Sequence, residues 1–186
     1  ALSIKSGTRH EDQTFGGIAH LTEHMIFKGT EYKSGCCINS YIEKLGGELN
    51  AFTTKEEIVI HSTVLKEDLA RAIGLLVELA FCPKFQEKEL EKEKVVVMDA
   101  IISYKDSPSD QIFDDFEELL FPNHPLGRNI LGKPDLLHGF KSEDALRFTS
   151  RYYRPSNIVF FVQGNVDFKK VVRLVEKATA NLPTNA

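Results

Sequence analysis

Between Gly16-Gly17 and Gly29 the chain reads Ile18-Ala19-His20-Leu21-Thr22-Glu23-His24-Met25-Ile26-Phe27, an apolar run broken by three polar side chains at fixed spacing. In a helix, residues four apart share a face, so His20 and His24 point the same way and Glu23 leans over that face. The surrounding Ile, Leu, Met and Phe press this helix against a core. Imidazoles and a carboxylate in such surroundings are costly unless they hold a ligand or one another. Any fold for this chain must therefore open a polar site on an otherwise buried helix. Two neutral imidazoles suit Zn²⁺, and a carboxylate beside them can take a proton from a metal-bound water. The order His-x-x-Glu-His is the reverse of the commoner His-Glu-x-x-His zinc motif. The competing reading, polar residues on the wet face of an ordinary helix, sits poorly with that apolar neighbourhood.

Around this helix the chain divides into short elements. Leu2 to Lys5 alternates like a strand, and Thr8 to Thr14 reads as a loop. A helix from about Ile38 to Leu45 is expected to stop at Gly46-Gly47. Glu48 to Thr53 and Glu57 to Val64 read as strands, and Asp68 to Phe81 as an apolar helix. A long helix from Phe85 to Tyr104 ends at Ser107-Pro108. Helices are expected over Asp110 to Leu120, Glu143 to Tyr153 and Phe168 to Ala180, with a turn-rich Pro122 to Pro134 and a strand from Ile158 to Gln163. Because strands and helices do not strictly alternate, the expected class is α+β, a mostly antiparallel sheet with helices packed on one face.

With 186 residues, 42% hydrophobic and 27% charged, one soluble globular domain is expected. A net charge of −4 gives no footprint for nucleic acid or for an anionic membrane, and no apolar run approaches the roughly 20 residues of a membrane span. The chain opens inside what reads as a strand, Leu2 to Lys5. Cys36, Cys37 and Cys82 have neither metal nor pairing spacing and read as three reduced thiols, which favours a reducing compartment such as the cytoplasm. His61 reads as a strand residue, and His10, His124 and His138 lie in loop-like segments, so none is assigned a metal.

Ordered blocks over nearly the whole chain resemble peptidase family M16, the pitrilysin, insulysin and mitochondrial processing peptidase group, and most of all its small bacterial members. The blocks are Ser6-Gly7-Thr8-Arg9, Gly17 to Thr30 with the His-x-x-Glu-His motif, Gly46-Gly47-Glu48-Leu49-Asn50-Ala51-Phe52-Thr53, Glu91 to Ile101, and His124-Pro125-Leu126-Gly127-Arg128 with Ile130-Leu131-Gly132. The resemblance implies a LuxS/M16 metallohydrolase-like half over residues 1–186, lacking an upstream strand and a second homologous half. It implies that His20 and His24 bind Zn²⁺, that Glu23 is the general base for peptide-bond hydrolysis, and that Glu93 supports the metal site from behind its ligands. It also implies that an extended peptide pairs with the strand at Asn50, Ala51 and Phe52, an edge mode that reads backbone and tolerates many side chains. The expected partners are a peptide or unfolded segment and a second M16-like half, in the same chain or in another subunit.

One position departs from the family pattern. Its third zinc ligand, a Glu on the long helix, falls on Ala100, and a methyl group cannot coordinate a metal. Asp99 is adjacent, but one helical step is about 100°, so only a local π-bulge would turn it inward. Glu93 lies two turns away, about 11 Å along the axis, which strains its reach as a substitute ligand. Two explanations stay open. This is a competent peptidase disabled at one ligand, a reading the intact motif and Glu93 favour, or a non-catalytic subunit that binds peptides or supports an active homologue.

Overall fold

The computed structural model describes residues 1–182, and its organising element is a four-stranded sheet in the order β2-β3-β1-β4. The strands are β1 (Leu2–Ile4), β2 (Glu48–Thr53), β3 (Ile58–Thr63) and β4 (Ile158–Phe160), and every neighbouring pair is antiparallel. Register places Leu2 opposite Ile60 and Phe160, and Ala51 opposite Ile60, so their side chains share one face. Leu2, Ile4, Ile58 and Ile60 are fully buried there, whereas Phe52 and Val159, one residue out of phase, are exposed. That alternation is the period-two signature of a sheet covered on one side.

Helices supply the cover: α1 (Ile18–Ile26), α2 (Gly35–Glu43), α3 (Leu69–Phe81), α4 (Glu87–Lys105), α5 (Pro108–Leu120), α6 (Pro134–Gly139), α7 (Ser142–Tyr152) and α8 (Phe168–Thr179). α1 and α2 pack on β2, α3 packs on β3, and α1 is enclosed further by α4 and α7. The result is the α+β arrangement that the order of elements implied. Cys36 and Cys37 are exposed free thiols, and Cys82, just past α3, is a partly buried one.

Several boundaries differ from the sequence expectation, each for a packing reason. α2 begins at Gly35 rather than Ile38, because its first turn presses on the end of α1, where a Cβ on Gly35 would lie 3.0 Å from the Phe27 carbonyl oxygen. Its end is the expected glycine cap: Gly47 N–H bonds Ile42 O, Gly46 N–H bonds Glu43 O, and Gly46 has φ +69°. β3 stops short of both Glu57 and Val64. β4 is half the expected length and pairs with Leu2–Ile4 of β1, and Phe161 N–H bonds Ala1 O. The segment from Thr8 to Thr14 holds two 3₁₀ turns, Thr8–His10 and Gln13–Phe15. α6 was not foreseen; it is a single short helix opened by Pro134 that buries Leu137.

α5 inverts the usual rule for a surface helix. Its least exposed residues are Asp114 and Glu117, both paired to Lys55, while Phe113, Phe116 and Leu119 face solvent.

Gly17 has φ +98°, and a Cβ there would sit 2.9 Å from the carbonyl oxygen of Leu131. Gly17→Ala is therefore expected to cost roughly 1–3 kcal/mol of unfolding free energy. Gly74→Ala, in the middle of α3 with nothing within 4 Å, is expected to gain up to about 1 kcal/mol. Urea unfolding of the two variants checks the opposite signs.

Candidate functional site

α1 starts from an unusual anchor. The Glu11 carboxylate, 5% exposed, accepts hydrogen bonds from Gly17 N–H at 2.9 Å and Ala19 N–H at 2.7 Å. It does from six residues upstream what a capping side chain normally does from the helix entry, and a negative charge there also suits the helix dipole. Arg128 donates to the Glu11 carbonyl oxygen at 2.9 Å, and the Tyr152 hydroxyl donates to the His10 carbonyl oxygen at 2.7 Å. Burial pushes the Glu11 carboxyl up to about 7, against the opposing pull of the two amides and of Arg128.

The anchored helix buries Ile18, Ala19, Leu21, Thr22, Met25 and Ile26. His20, Glu23 and His24 are left on the remaining face, with the two imidazole centroids 4.7 Å apart. Burial, and secondarily His24, lowers His20 to about 4, so this ring is neutral at neutral pH with a lone pair to offer. Its Nδ1 is buried without a hydrogen-bond partner. His24 is fixed from behind: its Nδ1 lies 3.0 Å from Glu93 Oε2, and Glu93 Oε1 is held by Lys28 Nζ at 2.6 Å. In the neutral ring the carboxylate can only accept, so Nδ1 carries the proton and Nε2 keeps its lone pair. Glu23 Oε2 accepts from the Thr53 hydroxyl at 2.5 Å. Burial raises the Glu23 carboxyl, and the Thr53 bond and His24 partly offset it.

A cleft of about 310 Å³ opens on this face, lined among others by His20, Glu23, Phe52, Thr53, Tyr104 and Asp114. A larger cavity of about 430 Å³ lies between α3 and the ends of β3 and β4, but no carboxylate lines it and it holds none of the motif residues. Of the two, the smaller cleft is the one that His20 and Glu23 line. β2 bounds it and is an edge strand with β3 on one side only. Phe52 is 46% exposed, and Ala51 N–H is taken by Asn50 Oδ1 at 2.9 Å rather than by the ladder.

Ala100 lies seven residues after Glu93, a net rotation of about −20° on α4, so both occupy one stripe. One turn further, Tyr104 lines the cleft. α4 is an unbroken α-helix, so no bulge turns the exposed Asp99 inward. Glu93 is committed to His24 and Lys28. Among the described residues, no three His, Cys, Asp or Glu side chains converge to hold a metal ion. The donors present thus fit two of the three protein positions that a catalytic zinc site uses, and the set is incomplete. Glu11, Thr53 and Tyr104 were not singled out from sequence. An acidic residue shortly before a Gly-Gly helix entry was the available signal for Glu11, whereas Thr53 and Tyr104 are brought in only by packing.

Residues 1–134 match a family model described as insulinase, peptidase family M16, and residues 139–186 match one described as the peptidase M16 inactive domain. An uncharacterized zinc protease of Bacillus subtilis, YmxG, is 38% identical over 174 residues, 94% of this chain and 42% of that protein. One of Rickettsia bellii is 33% identical over 181 residues, 97% of this chain and 44% of that protein. Among solved structures, a Helicobacter pylori protease superposes with a TM-score of 0.92 at 26% identity, covering 100% of this chain and 45% of that one. The Escherichia coli periplasmic protease PqqL gives 0.90 at 25% identity, covering 100% of this chain and 21% of that one. The chain spans less than half the length of these relatives.

Because the Glu11 carboxyl is raised in the folded state, unfolded chains ionise first as pH climbs, and folded stability falls across that window. Glu11→Gln removes this dependence. Between about pH 5 and pH 8 the unfolding free energy of the unmodified protein is expected to drop by about 3 kcal/mol relative to the variant. Parallel stability curves for the two proteins would refute the raised carboxyl.

Proposed function

Since the chain belongs to the insulinase family, peptidase family M16, we propose that it is the metal-bearing half of a zinc-dependent endopeptidase acting on peptides or unfolded segments, impaired as it stands because Ala100 occupies the third ligand position. The observation that carries this reading is the convergence of His20, His24 and Glu23 on one face of α1, open to a cleft bounded by an edge strand. The chain's own residues have definite parts. Glu23 holds Thr53 with Oε2, leaving Oε1 to accept a proton from water and pass it to a leaving amine. Its carboxyl, raised by burial, holds such a proton more readily than an exposed glutamate would. Glu93 fixes the His24 ring.

Peptide binding is assigned to the free edge of β2. The outward Ala51 N–H must exchange Asn50 Oδ1 for a substrate carbonyl, and Phe52 supplies apolar contact beside it. A second M16-like half, in the same chain or a partner, is assigned to complete the chamber. Its support is that the chain covers 41% of a structure titled the first half of PqqL.

The second reading, a non-catalytic subunit that binds peptides or supports an active homologue, draws on one observation, the missing third donor. Turnover of a quenched peptide library by the full-length protein separates the two. Ala100→Glu is expected to raise turnover by roughly 100-fold or more, and adding Glu23→Gln to that variant is expected to abolish it. Equal silence with Ala100 and with Glu there would favour the binding subunit. Full activity in the double variant would remove Glu23 as the base.

A further inference from the structure

α5 turns the apolar side of an amphipathic helix to solvent. At about 100° per residue, Ile112, Phe113, Phe116, Leu119 and Leu120 fall within an arc of roughly 120°. All five are between 56% and 80% exposed. Together they present on the order of 600 Å² of apolar side chain, as much as the largest patch on an ordinary monomer and most of the roughly 800 Å² that one side of a stable interface covers. Within the arc, Phe113, Phe116 and Leu120 follow the three-then-four spacing of a seam between packed helices.

One edge of this band is acidic. Asp115 and Glu118 are exposed beside it. Among the described residues neither belongs to an ion pair, and Lys105 is the one cation lining the pocket of about 140 Å³ that they share with Gln111. Asp114, in the same wall, is already held by Lys55 and Asn129. α5 as a whole has five carboxylates and no Lys or Arg. That charge selects the partner. Two copies of α5 packed seam to seam would gather the unpaired carboxylates of both along one interface. An anionic bilayer would repel them, since helices that lie on membranes carry Lys and Arg on their flanks. The basic helix α8 is already packed on α3.

We propose that the outer face of α5 docks an amphipathic helix of a separate protein chain, one with an apolar seam and Lys or Arg along one flank. The seam covers Phe113, Phe116 and Leu120, and a cation from the flank enters the pocket at Asp115 and Glu118. Tyr104, Asp114, Asn129 and Leu131 line both that pocket and the 310 Å³ cleft, so the docked helix stands at the rim of the cleft. This docking needs no metal.

The probe is a labelled synthetic peptide of about 14 residues with Leu at seam spacing and Lys on one flank, and a twin with Glu on that flank is its control. Fluorescence anisotropy with the full-length protein is expected to show the Lys peptide binding at least about tenfold more tightly than the Glu twin. Phe113→Ser together with Phe116→Ser is expected to weaken the Lys peptide by at least about tenfold. Asp115→Lys together with Glu118→Lys leaves the apolar band intact and is expected to reverse the preference between the two peptides. All four side chains are exposed, so the variants keep the fold, which circular dichroism checks. Binding that ignores the Phe113 and Phe116 changes, equal binding of the two peptides, or binding of neither overturns the docking site. Self-association in sedimentation velocity that Phe113→Ser abolishes would give the face to a second copy, and flotation with phosphatidylglycerol vesicles that it abolishes would give it to lipid. Either result also overturns the proposal.

Discussion

A helix that buries Ile18, Ala19, Leu21, Thr22, Met25 and Ile26 against a sheet and two other helices has only one face left for His20, Glu23 and His24. The rest of the molecule accommodates that constraint. α4 must bring Glu93 behind His24, β2 must bring Thr53 under Glu23, and the loop before α1 must end in a glycine able to adopt φ +98°. The apolar side of α1 locks its rotation, because turning it by one residue, about 100°, would expose core side chains worth ~1.5–3 kcal/mol each. Side chains on so firmly held a helix are placed in advance of any ligand.

Two buried carboxylates organise this arrangement, and they differ in how they are satisfied. Glu93 lies between His24 and Lys28, each within hydrogen-bond distance. Removing Lys28 would leave an uncompensated buried charge, which costs more than the ion pair itself contributes. Glu11 has no side-chain cation bonded to its carboxylate; it relies on two backbone amides of α1, and its raised carboxyl reflects that thinner compensation. Glu93 thus fixes a functional ring, while Glu11 fixes the start of the helix that carries it.

On the proposed reading, Ala100 stands where the site would need its third donor, while the other supports are in place. His20 is held neutral, His24 is oriented, Glu23 is raised and tied to Thr53, and the edge strand is open. The inverted α5 adds a further feature of the rim, since Asp114 and Glu117 turn inward to Lys55 and it presents Phe113, Phe116 and Leu119 to solvent.

By itself the sequence determined the local, periodic features: the motif helix, the alternation of β2 and β3, and the Gly46-Gly47 cap. These follow from residue spacing and backbone geometry, which act over a few residues. The seven-residue interval also put Glu93 and Ala100 on one stripe. Only the tertiary structure decided which residues meet across long separations. The Gly16-Gly17 helix entry near Glu11 hints at an acidic cap, but only the fold brings its carboxylate to the amides of α1 and the Thr53 hydroxyl to Glu23. α5, with Asp114 and Glu117 paired to Lys55, is oriented against the amphipathic pattern that its own sequence presents. Such pairings are settled by sheet register and helix packing, and those depend on the whole chain closing on one core.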